Sequence, residues 1–325
     1  MIRVAVDALG GDSGPEPIVS GAAQAASAEI EPILFGPAGL ETLGLQLIEA
    51  GEAIEMDESP VDAVRAKADS SLVRAVRAVA EGRADAVVSA GSTGAMLAAS
   101  LLYIRRLPGV FRPAIAVVLP ARLRPVVLID SGANADARPE HLVQFAHMGA
   151  VFAEEILGVS DPEVRLLSIG EEDEKGNQLT VEAHELLRES GLRFTGNTES
   201  RWLLEGECDV VVTDGFTGNV ALKAIEGTIR SLLEGIRSEI DSSLRGKLGG
   251  LLIRAAARRV RHRLDPETHG GAYLLGLCGL VVIAHGSSSP VAIANAVRLA
   301  ARGVEHRVVE RLEERVPERV AVPRS

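Results

Sequence analysis

Three stretches of the sequence carry glycine and hydroxyl residues where backbone N–H groups could bind an anion. They are VVSAGSTG ending at Gly94, VVTDGFTGN ending at Asn219, and VIAHGSSSP ending at Pro290. In each, a short β-branched run leads through glycine into a segment of helical periodicity. A helix that begins at such a turn presents unpaired N–H groups and the positive end of its dipole to a ligand. A single turn of this kind is ordinarily a helix cap, but three in one chain favour a phosphate-type site.

Other polar clusters also follow predicted strands. The segment Asp7–Asp12 contains two glycines, which allow the backbone to approach a ligand closely. The cluster Asp130–Asn134 ends another strand, and residues 170–177 place Lys175 among four acidic residues. Charge pattern alone indicates a solvated loop around Lys175. However, only four of the 34 Lys and Arg residues are lysines, so Lys175 is a candidate point charge for phosphate.

Near-continuous apolar runs alternate with segments of helical periodicity along the chain. This alternation predicts an α/β fold with a mostly parallel sheet covered by helices. Such sheets bind ligands at the carboxyl ends of their strands, so the glycine-rich turns are expected to line one site. No linker divides the chain, which predicts a single domain over 1–325. The predicted strands are Ile2–Val6, Asp85–Val88, Ala114–Leu119, Val126–Ile129, Val164–Ile169, Asp209–Thr213 and Leu280–Ala284.

The segment at about 228–264 is predicted to form a helical hairpin inserted into this domain. Its first half has amphipathic helical spacing, and Leu248–Ile253 is expected to form an apolar tip. From Arg245 to Arg263 there are seven Lys or Arg residues and no acidic residue. A basic helix beside an apolar tip suits an acidic protein or an anionic lipid surface. The alternative is a solvated helix face whose tip is buried in a dimer.

Composition limits the class of protein. The 325 residues are 46% hydrophobic and 3% aromatic with a net charge of −11, which excludes wholesale disorder and argues against nucleic-acid binding. Two cysteines, no signal pattern and no apolar run of membrane-spanning length favour a soluble cytoplasmic protein. No Walker A motif, no G-x-G-x-x-G after the first strand and no metal-ligand spacing occurs in the sequence.

Together these segments resemble the bacterial phosphate acyltransferases of the PlsX family, the acyl-ACP:phosphate acyltransferases. The matching stretches follow the family order and span nearly the whole chain: VAVDALGGDSGP, VVSAGSTGA, LIDSGANADARPEHLVQFAHMGAVFAE, IGEEDEKGN, FTGNTESR, DVVVTDGFTGNVALKAIEG and HGGAYLLGLCGLVVIAHGSSS. Some positions depart from the family pattern, among them Ser200, which replaces the usual Gly. Ser92 replaces the usual Asn, Trp202 the usual Asp, and His269 the usual Tyr.

The resemblance implies the three-layer fold shared with isocitrate dehydrogenase-like enzymes and phosphate acetyltransferases. It implies transfer of a fatty acyl group from acyl carrier protein to inorganic phosphate. A membrane glycerol-3-phosphate acyltransferase would consume the acyl phosphate for phospholipid synthesis. The family is homodimeric, needs no organic cofactor, and associates peripherally with the inner face of the cell membrane.

The resemblance also suggests roles for residues. Lys175 and Asn219 are the expected catalytic residues. Those expected to bind phosphate or substrate are Gly11, Asp12, Ser92, Thr93, Gly94, Asn134, Asp214, Thr217 and Gly218. Those expected to contact carrier protein or membrane are Lys247, Leu251, Leu252, Arg254, Arg258 and Arg259.

Three other functions are compatible with parts of the sequence. A phosphate acetyltransferase using an acyl-CoA would perform the same chemistry but would not need the basic hairpin. A decarboxylating dehydrogenase of the related fold should carry clustered metal-binding aspartates and nicotinamide-site residues, which we do not find. A non-enzymatic anion-binding protein would show no catalytic turnover.

Overall fold

The computed structural model describes residues 1–264 and 270–318, which contain eleven strands in a single sheet. His269 lies outside this range. The strands are β1 (Ile2–Asp7), β2 (Ile30–Gly36), β3 (Gln46–Glu49), β4 (Ala86–Ser89), β5 (Ala114–Leu119), β6 (Val126–Ile129), β7 (Val164–Ser168), β8 (Phe194–Glu199), β9 (Val210–Val212), β10 (Ala272–Leu275) and β11 (Leu280–Ile283).

The sheet consists of two parallel blocks that run in opposite directions. Its order is β3-β2-β1-β4-β11-β10-β5-β6-β9-β7-β8. The strands from β3 to β11 are mutually parallel, as are those from β6 to β8. Three antiparallel pairings, β11–β10, β10–β5 and β5–β6, reverse the direction between the blocks. The sheet is therefore mostly parallel, as the sequence predicts.

Both blocks end at a common row of the sheet. One register row runs through Val6, Val88, Val282, Tyr273, Ala116, Ile129 and Val212. In β1, β4, β11, β6 and β9 this residue is the last or next to last of its strand, whereas Tyr273 and Ala116 lie within β10 and β5. Because the blocks run in opposite directions, one set of strands reaches this row from each side. The turns after β1, β4 and β11 and those after β6 and β9 therefore all begin near the middle of the sheet.

Helices cover both faces of the sheet. They are α1 (Pro15–Ala25), α2 (Pro60–Ala66), α3 (Ser71–Ala80), α4 (Thr93–Ala99), α5 (Pro139–Leu157), α6 (Gln178–Arg188), α7 (Gly215–Asp241), α8 (Leu244–Leu264), α9 (Pro290–Glu305) and α10 (Val308–Arg315), with a π-helical turn at Ser100–Ile104 and a 3₁₀ turn at Ser200–Trp202.

Alternation along the strands divides the core into two layers. On β1, Val4 and Val6 pack in a cluster with residues of α1, α5, α6, α9 and α10, whereas Ala5 packs with residues of α2, α3 and α4 on the opposite face. The start of α7 covers the same face further along the sheet, over Leu128 and Val211. No helix in the described ranges is long and apolar enough to cross a membrane.

Each of the three glycine-rich turns leads into a helix whose first residues are capped. Ser92 accepts a hydrogen bond from the Ala95 N–H at the start of α4, and Asp214 accepts one from the Thr217 N–H at the start of α7. Ser289 caps α9, where Pro290 occupies the first turn. A capping side chain satisfies N–H groups that have no partner within the helix.

The hairpin differs from the sequence expectation at its turn. The first helix, α7, is continuous from the sheet to Asp241, and the chain reverses at Ser242 and Ser243. The segment Leu248–Ile253 therefore lies within α8 and does not form the tip. Helix α8 packs closely against α7 at Gly250, because a β carbon at this position would clash with Ile240 of α7.

Candidate active site

The start of α7 packs directly onto the loop that follows β6. The Gly215 N–H donates to the Asn134 carbonyl oxygen at 2.8 Å. A β carbon at Gly215 would lie 2.7 Å from backbone atoms of Asn134, and one at Gly218 would collide with the Asp130 carbonyl oxygen. Glycine at these two positions therefore allows the helix and the loop to touch. Asn219 directly follows Gly218 on α7, and its side chain is exposed.

A buried carboxylate organises the loop itself. Asp130 is fully buried and accepts hydrogen bonds from the backbone N–H groups of Ile115, Gly132, Ala133 and Asn134, at 2.8 to 3.2 Å. Burial raises the pKa of Asp130, and these hydrogen bonds oppose the rise. The backbone N–H groups of Gly132, Ala133 and Asn134 thus donate to the Asp130 side chain.

Asn134, expected from the sequence to bind phosphate or substrate, has hydrogen bonds that suit a structural role. Its side-chain amide donates to the Pro113 carbonyl oxygen at 2.7 Å and to Asp130 at 2.8 Å. A primary amide has two N–H donors, so both are engaged. Asn134 is suited to holding the loop against α7, whereas Asn219 is exposed and can face a ligand.

The turns after β1, β4 and β11 form a second cluster. Asp7 accepts hydrogen bonds from Ser71 Oγ at 2.5 Å and Ser89 Oγ at 2.7 Å, and Ser89 Oγ accepts one from the Gly91 N–H. The Asp12 N–H donates to the Gly286 carbonyl oxygen at 2.8 Å. The structure therefore brings Gly11 and Asp12 beside the β11 turn, and Gly91 beside the β1 turn.

One side-chain contact joins the two clusters. Lys223 lies one helical turn after Asn219 on α7, and its Nζ is 3.5 Å from His285 Nε2 in the β11 turn. Lys223 Nζ also donates to Glu226 Oε2 at 2.9 Å. His285 and Lys223 are 62 positions apart, and nothing in the sequence pattern indicates that they meet.

The loop that carries Lys175 is held by its neighbours. Trp202 Nε1 donates to Glu171 Oε1 at 2.8 Å, and the buried Asn197 donates to the Glu172 carbonyl oxygen at 2.7 Å. Ser168 Oγ donates to the Lys175 carbonyl oxygen at 2.7 Å. Trp202 thus contacts the loop through its indole N–H.

Lys175 and Asn219 follow neighbouring strands. They come after β7 and β9, which pair in parallel, with Leu166 opposite Val212. Their loops therefore leave the sheet at the same edge. No hydrogen bond between the described residues joins the two side chains, and Lys175 is exposed.

The hairpin residues singled out in the sequence lie on the surface of α8. Lys247, Arg254, Arg258 and Arg259 are exposed, as are Leu251 and Leu252, at 65% and 86% of their accessible surface. The structure places these residues away from the two turn clusters, on a helix that extends from the sheet through α7.

The burial of Asp7 predicts a pH-dependent stability. Burial is the main cause that raises the pKa of this carboxyl, so the folded protein retains its proton to higher pH than the unfolded chain does. Folding stability should then fall as pH rises from about 4. We expect Asp7→Asn to become more stable relative to wild type over that range. Urea unfolding at several pH values measures the difference.

The exposed Asp136 provides the matched control, since Asp136→Asn removes a carboxylate outside the core. A difference between Asp7→Asn and wild type that does not change with pH, or that changes in the opposite direction, would show that the buried carboxyl has no such linkage.

Comparison with known proteins identifies close relatives. Residues 2–311 match the family described as fatty acid synthesis protein. The phosphate acyltransferase of Heliobacterium modesticaldum is 46% identical, over 98% of this chain and 99% of the relative. Those of Desulfitobacterium hafniense strain Y51 and Thermosynechococcus vestitus are 47% and 44% identical, each over 98% of this chain and over 98% and 97% of the relative.

Solved structures confirm the fold. A phosphotransacetylase from Streptococcus pyogenes superposes with a TM-score of 0.62 and 18% identity, covering 94% of both chains. A branched-chain phosphotransacylase from Enterococcus faecalis V583 gives a TM-score of 0.60 and 18% identity, covering 94% of this chain and all of the other. The α/β architecture expected from the sequence is therefore found in these proteins.

Proposed function

The chain belongs to the phosphate acyltransferase family, and we propose that it transfers a fatty acyl group from the thioester of acyl carrier protein to inorganic phosphate. The product is an acyl phosphate for phospholipid synthesis. A membrane-bound glycerol-3-phosphate acyltransferase would consume this product, because acyl phosphates are reactive and one end of the molecule is lipid. The enzyme would act as a homodimer at the inner face of the membrane.

The reaction needs positioning more than a strong base. An oxygen of hydrogen phosphate attacks the thioester carbonyl carbon, and the new C–O bond gives a tetrahedral intermediate. The C–S bond then breaks, and the departing carrier thiolate takes up the proton that hydrogen phosphate loses. Phosphate already carries negative charge at neutral pH, so the protein has to bind it, orient it and stabilise the oxyanion. In the proposed site, Lys175 binds the phosphate charge and the Asn219 amide donates to the phosphate or to the oxyanion.

The packing of α7 on the Asp130 loop is the observation that carries this proposal. Two glycines without room for a β carbon and a buried carboxylate with four backbone donors fix the start of a long helix. Asn219 is thereby held at the positive end of the helix dipole. Asp214 and Thr217 form the cap, and Asn134 positions the loop.

The turns of the other block form the second side of the proposed site. Gly11 and Asp12 lie beside the β11 turn, and Ser92 caps the helix that begins at Thr93. We place the phosphate between these turns and α7, where Thr93 and Gly94 can present backbone N–H groups. The Lys223–His285 contact marks where the two sides meet.

The basic helix α8 supports acyl carrier protein as the donor. Acyl carrier proteins are acidic, so Lys247, Arg254, Arg258 and Arg259 would attract the carrier and orient it. The exposed Leu251 and Leu252 give the same helix an apolar side for a carrier or a lipid surface.

Charge reversal on α8 tests the docking surface. We expect Arg258→Glu combined with Arg259→Glu to raise the KM for acyl carrier protein thioester about tenfold or more at low salt, with kcat for a small thioester donor unchanged. Both residues are exposed, so the fold should persist. The effect should shrink as ionic strength rises, because salt screens exposed charges. Unchanged kinetics at low salt would exclude docking at these residues.

The identity of the donor is tested by comparing two thioesters of the same fatty acid. Phosphate-dependent thiol release is measured with the acyl group on carrier protein and on coenzyme A. We expect kcat/KM to favour the carrier-protein thioester. A clear preference for the coenzyme A thioester would favour the alternative, a phosphate acetyltransferase-like enzyme.

A further inference from the structure

Two large apolar side chains are exposed at the start of α7. Phe216 and Val220 retain 65% and 54% of their accessible surface, and they lie one turn apart on the same face of the helix. Phe216 is the only exposed one of the six phenylalanines, all of which lie in the described residues. Apolar side chains exposed singly are common, but neighbouring ones that form a contiguous patch mark a surface that a ligand or partner covers.

The packing of α7 does not account for these side chains. The helix contacts the sheet through a different face, on which Ala221, Leu222 and Ile225 pack against the apolar cluster around Leu128 and Val211. Phe216 and Val220 therefore form a second apolar face, on the solvent side of the same turns.

A third exposed apolar side chain follows the neighbouring strand. Ile169 comes directly after β7 and retains 80% of its accessible surface. Because β7 pairs in parallel with β9, with Leu166 opposite Val212, Ile169 leaves the sheet at the level where α7 begins. Ile169 and Phe216 therefore follow neighbouring strands at the same edge of the sheet. Lys175 lies in the same loop as Ile169, and Asn219 lies on α7 with Phe216.

We propose that Phe216, Val220 and Ile169 form the binding surface for the hydrocarbon chain of the acyl donor, next to its carbonyl carbon. This inference rests on the proposed function. If Asn219 and Lys175 hold the phosphate near the carbonyl, the first methylene groups of the acyl chain must lie within a few ångströms of them. Phe216 and Val220 flank Asn219 along α7, and Ile169 begins the loop that carries Lys175, so these apolar side chains are the candidates for that contact. They would remove the chain from water, which favours binding about fourfold for each methylene group.

Acyl chain length provides a readout specific to this surface. The variants Phe216→Ser and Val220→Ser are compared with wild type on hexadecanoyl and butanoyl thioesters of the same carrier protein. We expect kcat/KM for the long-chain donor to fall at least about tenfold, and that for the short-chain donor to fall no more than about threefold. Leu123→Ser is the matched control, because Leu123 is 60% exposed on the β5–β6 turn, at the opposite end of β6 from Asp130.

Three results would overturn the inference. An unchanged ratio between the two donors in both variants would exclude contact with the acyl chain. An unchanged ratio together with a shift in oligomeric state by light scattering would instead identify the surface as an interface between two copies of the chain. An equal loss in Leu123→Ser would show a nonspecific effect. Failure of the proposed function is distinguishable, since wild type would then release no thiol in response to phosphate with either donor.

Discussion

Replacing Lys175 with Ala should lower the phosphate-dependent rate about 100-fold or more while the fold stays intact. Loss of one group that stabilises charge in the transition state ordinarily costs this much. The fold should tolerate the change because the loop is held by its backbone and its neighbours. The Lys175 carbonyl accepts from Ser168, and Glu171 and Glu172 are held by Trp202 and Asn197. The measurement is kcat at saturating phosphate.

Lys67→Ala is the control for the loss of a lysine. Lys67 binds Glu58 and the Ala53 carbonyl oxygen, outside the two segments that carry Lys175 and Asn219. We expect its removal to change kcat little. A Lys175→Ala rate within about threefold of wild type, with an unchanged melting temperature, would remove Lys175 from the mechanism.

Gly218→Ala should both destabilise the protein and nearly abolish its activity. A β carbon there would collide with the Asp130 carbonyl oxygen and lie 2.9 Å from Thr213 Cγ2. The start of α7 must move to relieve this clash, at a cost of about 1–3 kcal/mol in unfolding free energy. A displacement of about 1 Å can lower a rate about 100-fold, and Asn219 would move with the helix. Urea unfolding and kcat measure the two effects.

The same helix supplies the control. A β carbon at Gly227 would meet no atom within 4 Å. Because alanine is the better helix former, Gly227→Ala should raise the unfolding free energy by about 0.5–1 kcal/mol and leave kcat unchanged. If the two variants behaved alike, the contact between α7 and the Asp130 loop would have no special role.

Much of the fold follows from apolar pattern, and the exceptions have physical reasons. All seven predicted strands occur within one residue of their expected ends. The missed strands include both edges of the sheet, β3 and β8. An edge strand is covered on fewer sides, so QLIE and FTGNTE lack a continuous apolar run. In β2, Glu31 and Pro32 interrupt the pattern, and β10 merges with β11 into one apolar segment.

The sequence predicts the separate segments of the candidate site but not how the fold brings them together. Glycine and hydroxyl residues after strands indicate where helices begin, and the structure confirms those helices. Sequence cannot show that the two strand blocks run in opposite directions and end at one row, because that depends on pairings between distant segments. For the same reason it did not indicate the Lys223–His285 contact. It also did not indicate that both amide donors of Asn134 are already engaged.

The most direct test is the fate of the acyl group when the purified protein meets acyl carrier protein thioester and inorganic phosphate. Free thiol is followed continuously, and the acyl phosphate is trapped with hydroxylamine. We expect thiol release that requires phosphate and matches the trapped acyl hydroxamate one to one. Thiol release that is independent of phosphate, or no release at all, would contradict acyl transfer to phosphate by this protein.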